Sequence, residues 1–241
     1  MGFEINDQVR ALNAQLQRFM DEHIYPRERE WHEWCHDPEH LWEVPGWYDD
    51  IRDKAKAEGL WNLFLPKEYA PWSPGLTNVE IAPLFETMSK VMWAQSVFNC
   101  NAPDRGNMEV LAKYGTPEQQ EQWLKPLLAG EIRSAYAMTE PQVASSDATN
   151  MELEIRREGD EYVLNGRKWW TTGAVNPRCK IMLVMGKSNP ENDRHRQHST
   201  ILVPRDAPGV KLVRTLRAFD SLHSPGGEAE LLFEDVRVPV S

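Results

Sequence analysis

The sequence has few cysteines and no cysteine pair with the spacing of a metal site or a redox motif. Cys35, Cys100 and Cys179 lie far apart, and no Cys-x-x-Cys occurs in the 241 residues. Disulfide frameworks and structural zinc sites depend on paired or closely spaced cysteines. The polar loop that holds His195 and His198 supplies no matched ligand set and is interpreted as a solvated loop. We therefore expect no metal site, no disulfide scaffold and a reducing compartment.

The sequence also lacks an excess of positive charge and long hydrophobic runs. Lysine and arginine number 27 against 37 aspartates and glutamates, and the net charge is -10 at pH 7. A nucleic-acid partner requires a basic face, so this partner class is not expected. No apolar run is long enough to cross a membrane, and the first ten residues lack the basic and apolar regions of a signal peptide. We expect a soluble cytoplasmic protein without membrane insertion.

Several common local signatures of catalysis are missing as well. The sequence contains no GxGxxG, no GxSxG and no P-loop. Helical patterns come first and strand patterns follow, without the alternation that is typical of a Rossmann fold. Any chemistry must therefore come from residues that separate segments bring together.

The first part of the chain has the apolar spacing of helices. Apolar residues recur at steps of three and four at Val9, Leu12, Leu16 and Phe19. Residues 116–119 read TPEQ, which is a capping box with proline at the first helical position, and Gly130 is a suitable C-terminal stop. We predict an N-terminal all-helical domain over residues 1–134.

After residue 134 the apolar period becomes two, which is typical of strands. Apolar and charged residues alternate over 151–155, and the continuous apolar run at 181–185 predicts a central strand. Asn165-Gly166 lies between two strand-like runs and predicts a β-hairpin. We predict an antiparallel β-barrel or sandwich domain over residues 135–241, and hence an α+β fold class.

Two segments rich in hydroxyl groups leave the predicted sheet at strand ends. One is YAMTEPQVASSD at 136–147, in which the residues from 143 onward are small, and the other is WWTTG at 169–173. Indole rings would cover a flat ligand, hydroxyls and backbone N–H groups would bond its heteroatoms, and the small residues would let it approach the backbone. The residues predict either a site for a planar polar heterocycle or two ordinary turn regions with core tryptophans.

Four segments make the chain resemble the acyl-CoA dehydrogenases, flavoenzymes of lipid metabolism that oxidise acyl-CoA thioesters at the α and β carbons. They are NCNAPDRGNMEVL (99–111), YAMTEP (136–141), SSDATN (145–150) and NGRKWWTTGA (165–174). The resemblance extends over nearly all of the chain. It is strongest to a long-chain and branched-chain branch, some of whose members are fused to a kinase-like phosphotransferase domain. It implies FAD as cofactor and a fold in which a helical domain, a β-domain and a C-terminal four-helix domain follow one another, the last being absent from this sequence.

The resemblance also implies a set of cofactor contacts. The residues at the family's flavin-lining positions are Tyr136, Met138, Thr139, Ser145, Trp169, Trp170, Thr171 and Thr172. Trp170 is expected to pack on the flavin, Thr139 to reach its pyrimidine part, and the Thr172 hydroxyl to lie close to flavin N5. Trp169 and Thr171 would contribute backbone contacts.

The substrate contact implied by the resemblance has two candidates. In the family, a serine directly before the loop aspartate contacts the CoA part of the substrate. Counting forward from Thr139 gives Ser145, and anchoring on Asp147 gives Ser146. Residues 142–147 are one residue longer than the family's Gly-Ala-Gly-Ser-Asp loop and contain no glycine. We therefore expect a different local backbone here.

No catalytic base is expected within the sequence. The family's base is a glutamate on or beside the C-terminal helices, and Glu140 is interpreted as a structural hydrogen-bond acceptor. The resemblance implies a partial acyl-CoA dehydrogenase, inactive alone. The intact form would act on acyl-CoA, pass electrons to an electron-transferring flavoprotein and form a homo-oligomer. The alternatives are a flavin-dependent oxidase or monooxygenase of the same fold, a half-enzyme that docks on a separate helical subunit, and a non-catalytic interaction protein.

Overall fold

Contacts within the chain divide the protein into two compact units. The computed structural model describes residues 5–240, with unit 1 ending at Gly130 and unit 2 beginning at Glu131. Unit 1 is helical and unit 2 is built on one sheet, which confirms the predicted order of a helical part followed by a β part. No helix in the described range is both long and apolar enough to cross a membrane.

Unit 1 consists of α-helices joined by shorter helical turns. The α-helices are α1 (Asp7–Phe19), α2 (Glu28–His36), α3 (Tyr48–Ala57), α4 (Asn78–Met88), α5 (Ala94–Val97), α6 (Asp104–Tyr114), α7 (Pro117–Gln119) and α8 (Lys125–Ala129). The π-helical segment Met20–Ile24 continues α1, and a second one, Gln120–Leu124, joins α7 to α8. Further 3₁₀ turns cover Tyr25–Arg27, Pro38–His40 and Lys67–Tyr69.

Side-chain caps fix where several of these helices begin and end. The Asn6 side chain accepts a hydrogen bond from Val9 N (2.9 Å) at the start of α1. The predicted capping box is confirmed, because Gln119 N donates to Thr116 Oγ1 (3.3 Å) and Thr116 N donates to Gln119 Oε1 (3.1 Å). The predicted stop at Gly130 is also confirmed, since its φ of 71° is the left-handed conformation that ends α8.

The apolar stripe of α1 packs into the core of unit 1. Val9 and Leu16 are fully buried and Phe19 is 2% exposed, whereas Leu12 is half-buried. The Phe19 ring meets the Phe98 ring edge-on with 5.3 Å between centroids. Helical periodicity therefore identified the buried face of α1.

Unit 2 is a curled sheet of mixed direction. Its strands in the described range are β1 (Arg133–Ala137), β2 (Glu154–Glu158), β3 (Glu161–Thr172), β4 (Cys179–Lys187), β5 (His198–Pro204), β6 (Val210–Leu216) and β7 (Glu228–Pro239). Their order is β1-β4-β2-β3-β7-β6, with β5 also paired to β4. Most pairs are antiparallel, as predicted, but β4 is parallel to β1 and to the start of β2. Parallel pairing of β1 with β4 is possible because the long segment between them provides a crossover.

The prediction of a central strand at residues 181–185 is confirmed. β4 pairs with β1 on one edge and with β5 on the other. Its residues Ile181, Met182, Leu183 and Val184 are all fully buried. A strand that is buried on both faces has a continuous apolar run instead of an alternating one.

The prediction of a hairpin turn at Asn165-Gly166 is wrong. Both residues lie inside β3, at a point where its pairing with β7 shifts register between Leu164 and Gly166. A Cβ on Gly166 would lie 2.9 Å from Leu153 Cα, so glycine is needed here for close backbone approach. Asp235 N on β7 donates to Asn165 Oδ1 (2.9 Å), which fastens the irregular pair.

Candidate functional site

The two hydroxyl-rich segments lie side by side in unit 2. Trp169 N on β3 donates a hydrogen bond to Thr139 O, just after β1 (2.9 Å). β4 and β2 separate β1 from β3 in the sheet order, so the curl of the sheet brings the two strand ends together. We call residues 138–139 and 169–172 the rim. The structure therefore unites the two segments that the sequence analysis grouped.

A buried ion pair underlies the rim. Lys168 Nζ donates to Glu140 Oε1 (2.8 Å) and to Met138 O (2.7 Å), and the two side chains are 0% and 3% exposed. The Glu140 carboxylate also accepts from Glu152 N (2.7 Å) and Leu153 N (2.9 Å). Burial lowers the pKa of Lys168, and the hydrogen bond that its ammonium donates to Glu140 opposes that shift. The interpretation of Glu140 as a structural acceptor is confirmed, because backbone and ammonium donors occupy both of its oxygens.

Ser145 and Ser146, the two candidates for the substrate contact, have different surroundings. Ser145 is 2% exposed, and its Oγ accepts a hydrogen bond from Glu140 N (2.8 Å). Ser146 is exposed. Ser145 thus stabilises the loop through a buried hydrogen bond, whereas the side chain of Ser146 is accessible to solvent.

The two adjacent tryptophans of β3 have different environments. Trp169 is half-buried, and its indole N–H is buried without a hydrogen-bond partner among residues 5–240. Trp170 is 39% exposed and has a φ of 50°, which is uncommon for a bulky residue. Its position coincides with the second register shift between β3 and β7, after Lys168 and before Thr171. This irregularity leaves the Trp170 indole exposed at the rim.

Thr171 and Thr172 lie on opposite faces of β3. Thr171 is fully buried, and its hydroxyl has no partner in the described part of the chain. Thr172 is exposed and in register with Glu228 on β7, and its hydroxyl donates to Glu228 Oε2 (2.7 Å). Burial raises the pKa of Glu228, while the hydrogen bond from Thr172 and the nearby His223 ring lower it. Thr172 therefore brings a carboxylate into the site.

Met138 belongs to the rim and Tyr136 lies beside it. The Met138 carbonyl accepts the bond from Lys168, and the Met138 side chain is half-buried. Tyr136 is in register with Leu183 on β4, and its hydroxyl lies 3.7 Å from Met185 Sδ. Of these two residues predicted to contact the flavin, Met138 therefore lies in the rim, and Tyr136 contacts β4.

The prediction of a solvated loop that holds His195 and His198 is right for His195 only, because His198 is the first residue of β5 and is half-buried. Arg194–Arg196 forms a 3₁₀ turn between β4 and β5, and His195 is exposed. Among the residues that the structure describes, no three His, Cys, Asp or Glu side chains are placed to hold a metal ion together. We interpret this loop as a solvated surface segment.

Sequence reasoning missed two residues of the site, Lys168 and Glu228. Lys168 had a detectable signal. It follows the buried Leu164 by an even number of residues on β3, and alternate residues of a strand lie on the same face. A lysine at such a position requires a buried partner. Glu228 had no comparable signal, since only the register between β3 and β7 places it opposite Thr172.

Comparison with known proteins relates both units to one family. The acyl-CoA dehydrogenase N-terminal domain matches residues 6–131, and the acyl-CoA dehydrogenase middle domain matches residues 135–236. "Acyl-CoA dehydrogenase family member 10" of Mus musculus is 51% identical over 236 residues, which cover 96% of this chain and 22% of the mouse protein.

Solved structures share the fold. A Mycobacterium abscessus protein assigned as an acyl-CoA dehydrogenase has a TM-score of 0.92 at 46% identity, covering 98% of this chain and 60% of that one. A glutaryl-CoA dehydrogenase from Mycobacterium smegmatis, in complex with FADH2, has a TM-score of 0.69 at 21% identity, covering 98% and 55%. At that identity the second protein shows the fold alone. This chain therefore spans about a fifth of the mouse protein and three fifths of the Mycobacterium abscessus protein.

Proposed function

The chain belongs to the acyl-CoA dehydrogenase family, and on this basis we propose that its rim binds the flavin of FAD for α,β-dehydrogenation of an acyl-CoA thioester. The observation that carries the proposal is the hydrogen bond from Trp169 N to Thr139 O, which joins two hydroxyl-bearing strand ends next to an exposed indole. When bound, FAD supplies the acceptor for the hydride that leaves the β carbon. The role of the chain is to bind and orient cofactor and substrate.

The groups at the rim fit a flat heterocycle with polar edges. Trp170 would pack against the ring through its exposed indole, and Thr139, which is also exposed, would bond the polar edge of the ring. Two buried polar atoms, Trp169 Nε1 and Thr171 Oγ1, lack partners within residues 5–240. Unpaired buried groups of this kind are often completed by a ligand or an ordered water. The fold is also that of the Mycobacterium smegmatis protein whose structure contains FADH2.

The loop after β1 would contribute to binding of the thioester substrate. Ser146 is the exposed serine of the pair, so we propose Ser146 as the contact to the CoA part. Ser145 would act indirectly, by fixing the loop through its bond with Glu140 N. Small side chains at Val143 and Ala144 would leave room for a ligand close to the backbone.

The chain is proposed to lack the base that removes the α proton. Glu140 is 3% exposed and already accepts bonds from an ammonium and two amides, so it is unavailable for this step. A base must be able to reach the proton that it abstracts. We propose that the base, and most contacts to the diphosphate of FAD, lie in other parts of a longer protein, which would form a homo-oligomer and pass electrons to an electron-transferring flavoprotein. Accordingly, the 241-residue chain with added FAD should turn over no acyl-CoA.

Replacing Trp170 by alanine should weaken FAD binding by about tenfold. An aromatic contact of this kind contributes about 0.5–1.5 kcal/mol beyond the area that it buries, and tenfold in affinity is about 1.4 kcal/mol. FAD titrated into the purified chain, followed by quenching of flavin fluorescence, measures this effect. The control is Tyr114→Ala, an exposed aromatic residue of unit 1, which should leave the affinity unchanged. Absence of saturable binding to the unaltered chain would contradict the proposed flavin site.

A further inference from the structure

We propose that Glu228 is a positioning residue that fixes the direction of the Thr172 hydroxyl, so that Thr172 accepts a hydrogen bond from a rim ligand and does not donate one. The inference rests on the proposed function, because the ligand considered is the flavin. It goes further by naming the form of the flavin that the Thr172 hydroxyl favours. Nothing in the sequence alone pairs these two residues.

The backbone fixes the geometry of this pair. Thr172 and Glu228 are opposite one another across β3 and β7, and Gly173 N donates to Gly227 O (2.9 Å) beside them. The Thr172 hydroxyl donates to Glu228 Oε2 at 2.7 Å, and the glutamate side chain is 13% exposed. The other carboxylate oxygen lies 3.8 Å from His223 Nδ1. The strand register and the hydrogen bond from Thr172 therefore place the carboxylate beside the hydroxyl.

A hydroxyl has one proton to donate and two lone pairs that accept. With its proton directed to Glu228, Thr172 presents only lone pairs to a ligand. An ionised carboxylate cannot return a proton, so the direction of this bond is fixed while Glu228 is charged. A ligand atom that carries hydrogen gains a bond at this position, and a ligand atom that only accepts gains none.

This direction matters for a flavin because reduction adds hydrogen to ring nitrogen. A ring nitrogen that accepts in the oxidised form becomes a donor in the reduced form. A Thr172 hydroxyl that can only accept therefore favours reduced over oxidised flavin. The negative charge of Glu228 acts in the opposite sense, since it disfavours electrons added to the ring. The two effects can be separated, because only the first requires the Thr172 hydroxyl.

The hydrogen bond itself can be tested in the chain without flavin. The carboxyl carbon of Glu228 would be titrated by ¹³C NMR and assigned with the variant Glu228→Gln. Thr172→Val should move the midpoint to higher pH, because a bond that stabilises the carboxylate is lost. Thr200→Val, a change at another exposed strand threonine, should not move it. An unchanged midpoint in Thr172→Val would overturn the inference.

The consequence for the flavin is tested by a double-mutant cycle. Affinities for oxidised and for dithionite-reduced FAD would be measured anaerobically for the unaltered chain, Glu228→Met, Thr172→Val and the double variant. The measured quantity is the ratio of the affinities for reduced and for oxidised FAD. Relative to its effect in the Thr172→Val background, Glu228→Met should shift this ratio about tenfold toward the oxidised form when the Thr172 hydroxyl is present, which is about 30 mV for a two-electron couple. Equal effects of Glu228→Met in the two backgrounds would refute the inference. If the unaltered chain binds neither form, the proposed function fails, and the carboxyl titration still decides whether Glu228 holds the hydroxyl.

Discussion

Glu140→Gln is expected to destabilise unit 2 by about 3–5 kcal/mol, which is the usual loss when one partner of a buried ion pair is removed. The change keeps the size of the side chain but leaves the Lys168 ammonium without a counter-charge. Both side chains are inaccessible to solvent, so water cannot replace the lost partner. The amide group also presents a donor to Glu152 N or Leu153 N, where the carboxylate accepts.

The same change should loosen the rim. Lys168 Nζ also holds Met138 O, and Glu140 N is bonded to Ser145, so the pair connects β3 to the loop that follows β1. Chemical denaturation followed by far-UV circular dichroism measures the loss of stability. Adding Lys168→Met to Glu140→Gln should recover part of the loss, because the uncompensated charge is then gone.

The control is an exposed ion pair of the same unit. Glu234 on β7 pairs with Lys211 on β6, and their side chains are 51% and 61% exposed. Glu234→Gln should change stability by about 1 kcal/mol or less, as is usual for surface pairs. If Glu140→Gln costs no more than Glu234→Gln, the buried pair does not hold unit 2 as described.

Gly130→Ala is expected to destabilise unit 1 by about 2–4 kcal/mol, through a strained backbone and a crowded side chain. Gly130 has a φ of 71°, and a Cβ there would lie 2.2 Å from Arg52 Nη2 and 2.6 Å from Trp61 Cζ2. Hydrogen bonds to the backbone restrain both neighbours, and Trp61 Nε1 donates to Leu128 O (2.7 Å). Arg52 is 4% exposed, its Nη2 donates to Gly130 O (2.8 Å), and its guanidinium lies over the Trp61 ring at 5.1 Å.

Gly59 provides a matched control for Gly130 in the same unit. Its φ is 72°, but a Cβ there would have no atom within 4 Å. Gly59→Ala should therefore show the backbone strain alone, about 1 kcal/mol. The difference between the two variants, measured by denaturant unfolding, reports the contact with Arg52 and Trp61. Equal losses would mean that the neighbours of Gly130 relax without a penalty.

Local sequence patterns correctly predicted those helices and strands whose formation depends on interactions between residues close in sequence. The spacing of Val9, Leu16 and Phe19 identified the buried face of α1, and the TPEQ capping box marked a helix start, because both depend on residues within a few positions. The apolar run at residues 181–185 predicted the central strand for the same reason. The prediction of a hairpin turn at Asn165-Gly166 failed because the glycine is required for close approach to the backbone of Leu153, which the sequence around Gly166 does not show.

The candidate site was predictable only in part. The sequence grouped the two hydroxyl-rich segments, and the structure joins them through Trp169 and Thr139. The inward position of Lys168 on β3 was detectable, but its partner Glu140 depends on the curl of the sheet, and the position of Glu228 beside Thr172 depends on strand register, which no local pattern encodes. The exposure of Ser146 likewise follows from the fold of a loop that has no glycine to mark its turns.

The most direct test of the account is whether residues 1–241 support reduction of flavin by an acyl-CoA. In a chimera, residues 1–241 would replace the matching 60% of the Mycobacterium abscessus protein. The rest of that protein would then supply the part that this chain does not cover. We predict that the purified chimera contains FAD and that acyl-CoA bleaches the absorbance of the oxidised flavin under anaerobic conditions, with slow recovery in air. A folded chimera without flavin, or one whose flavin stays oxidised with short, long and branched acyl-CoA alike, would contradict the account.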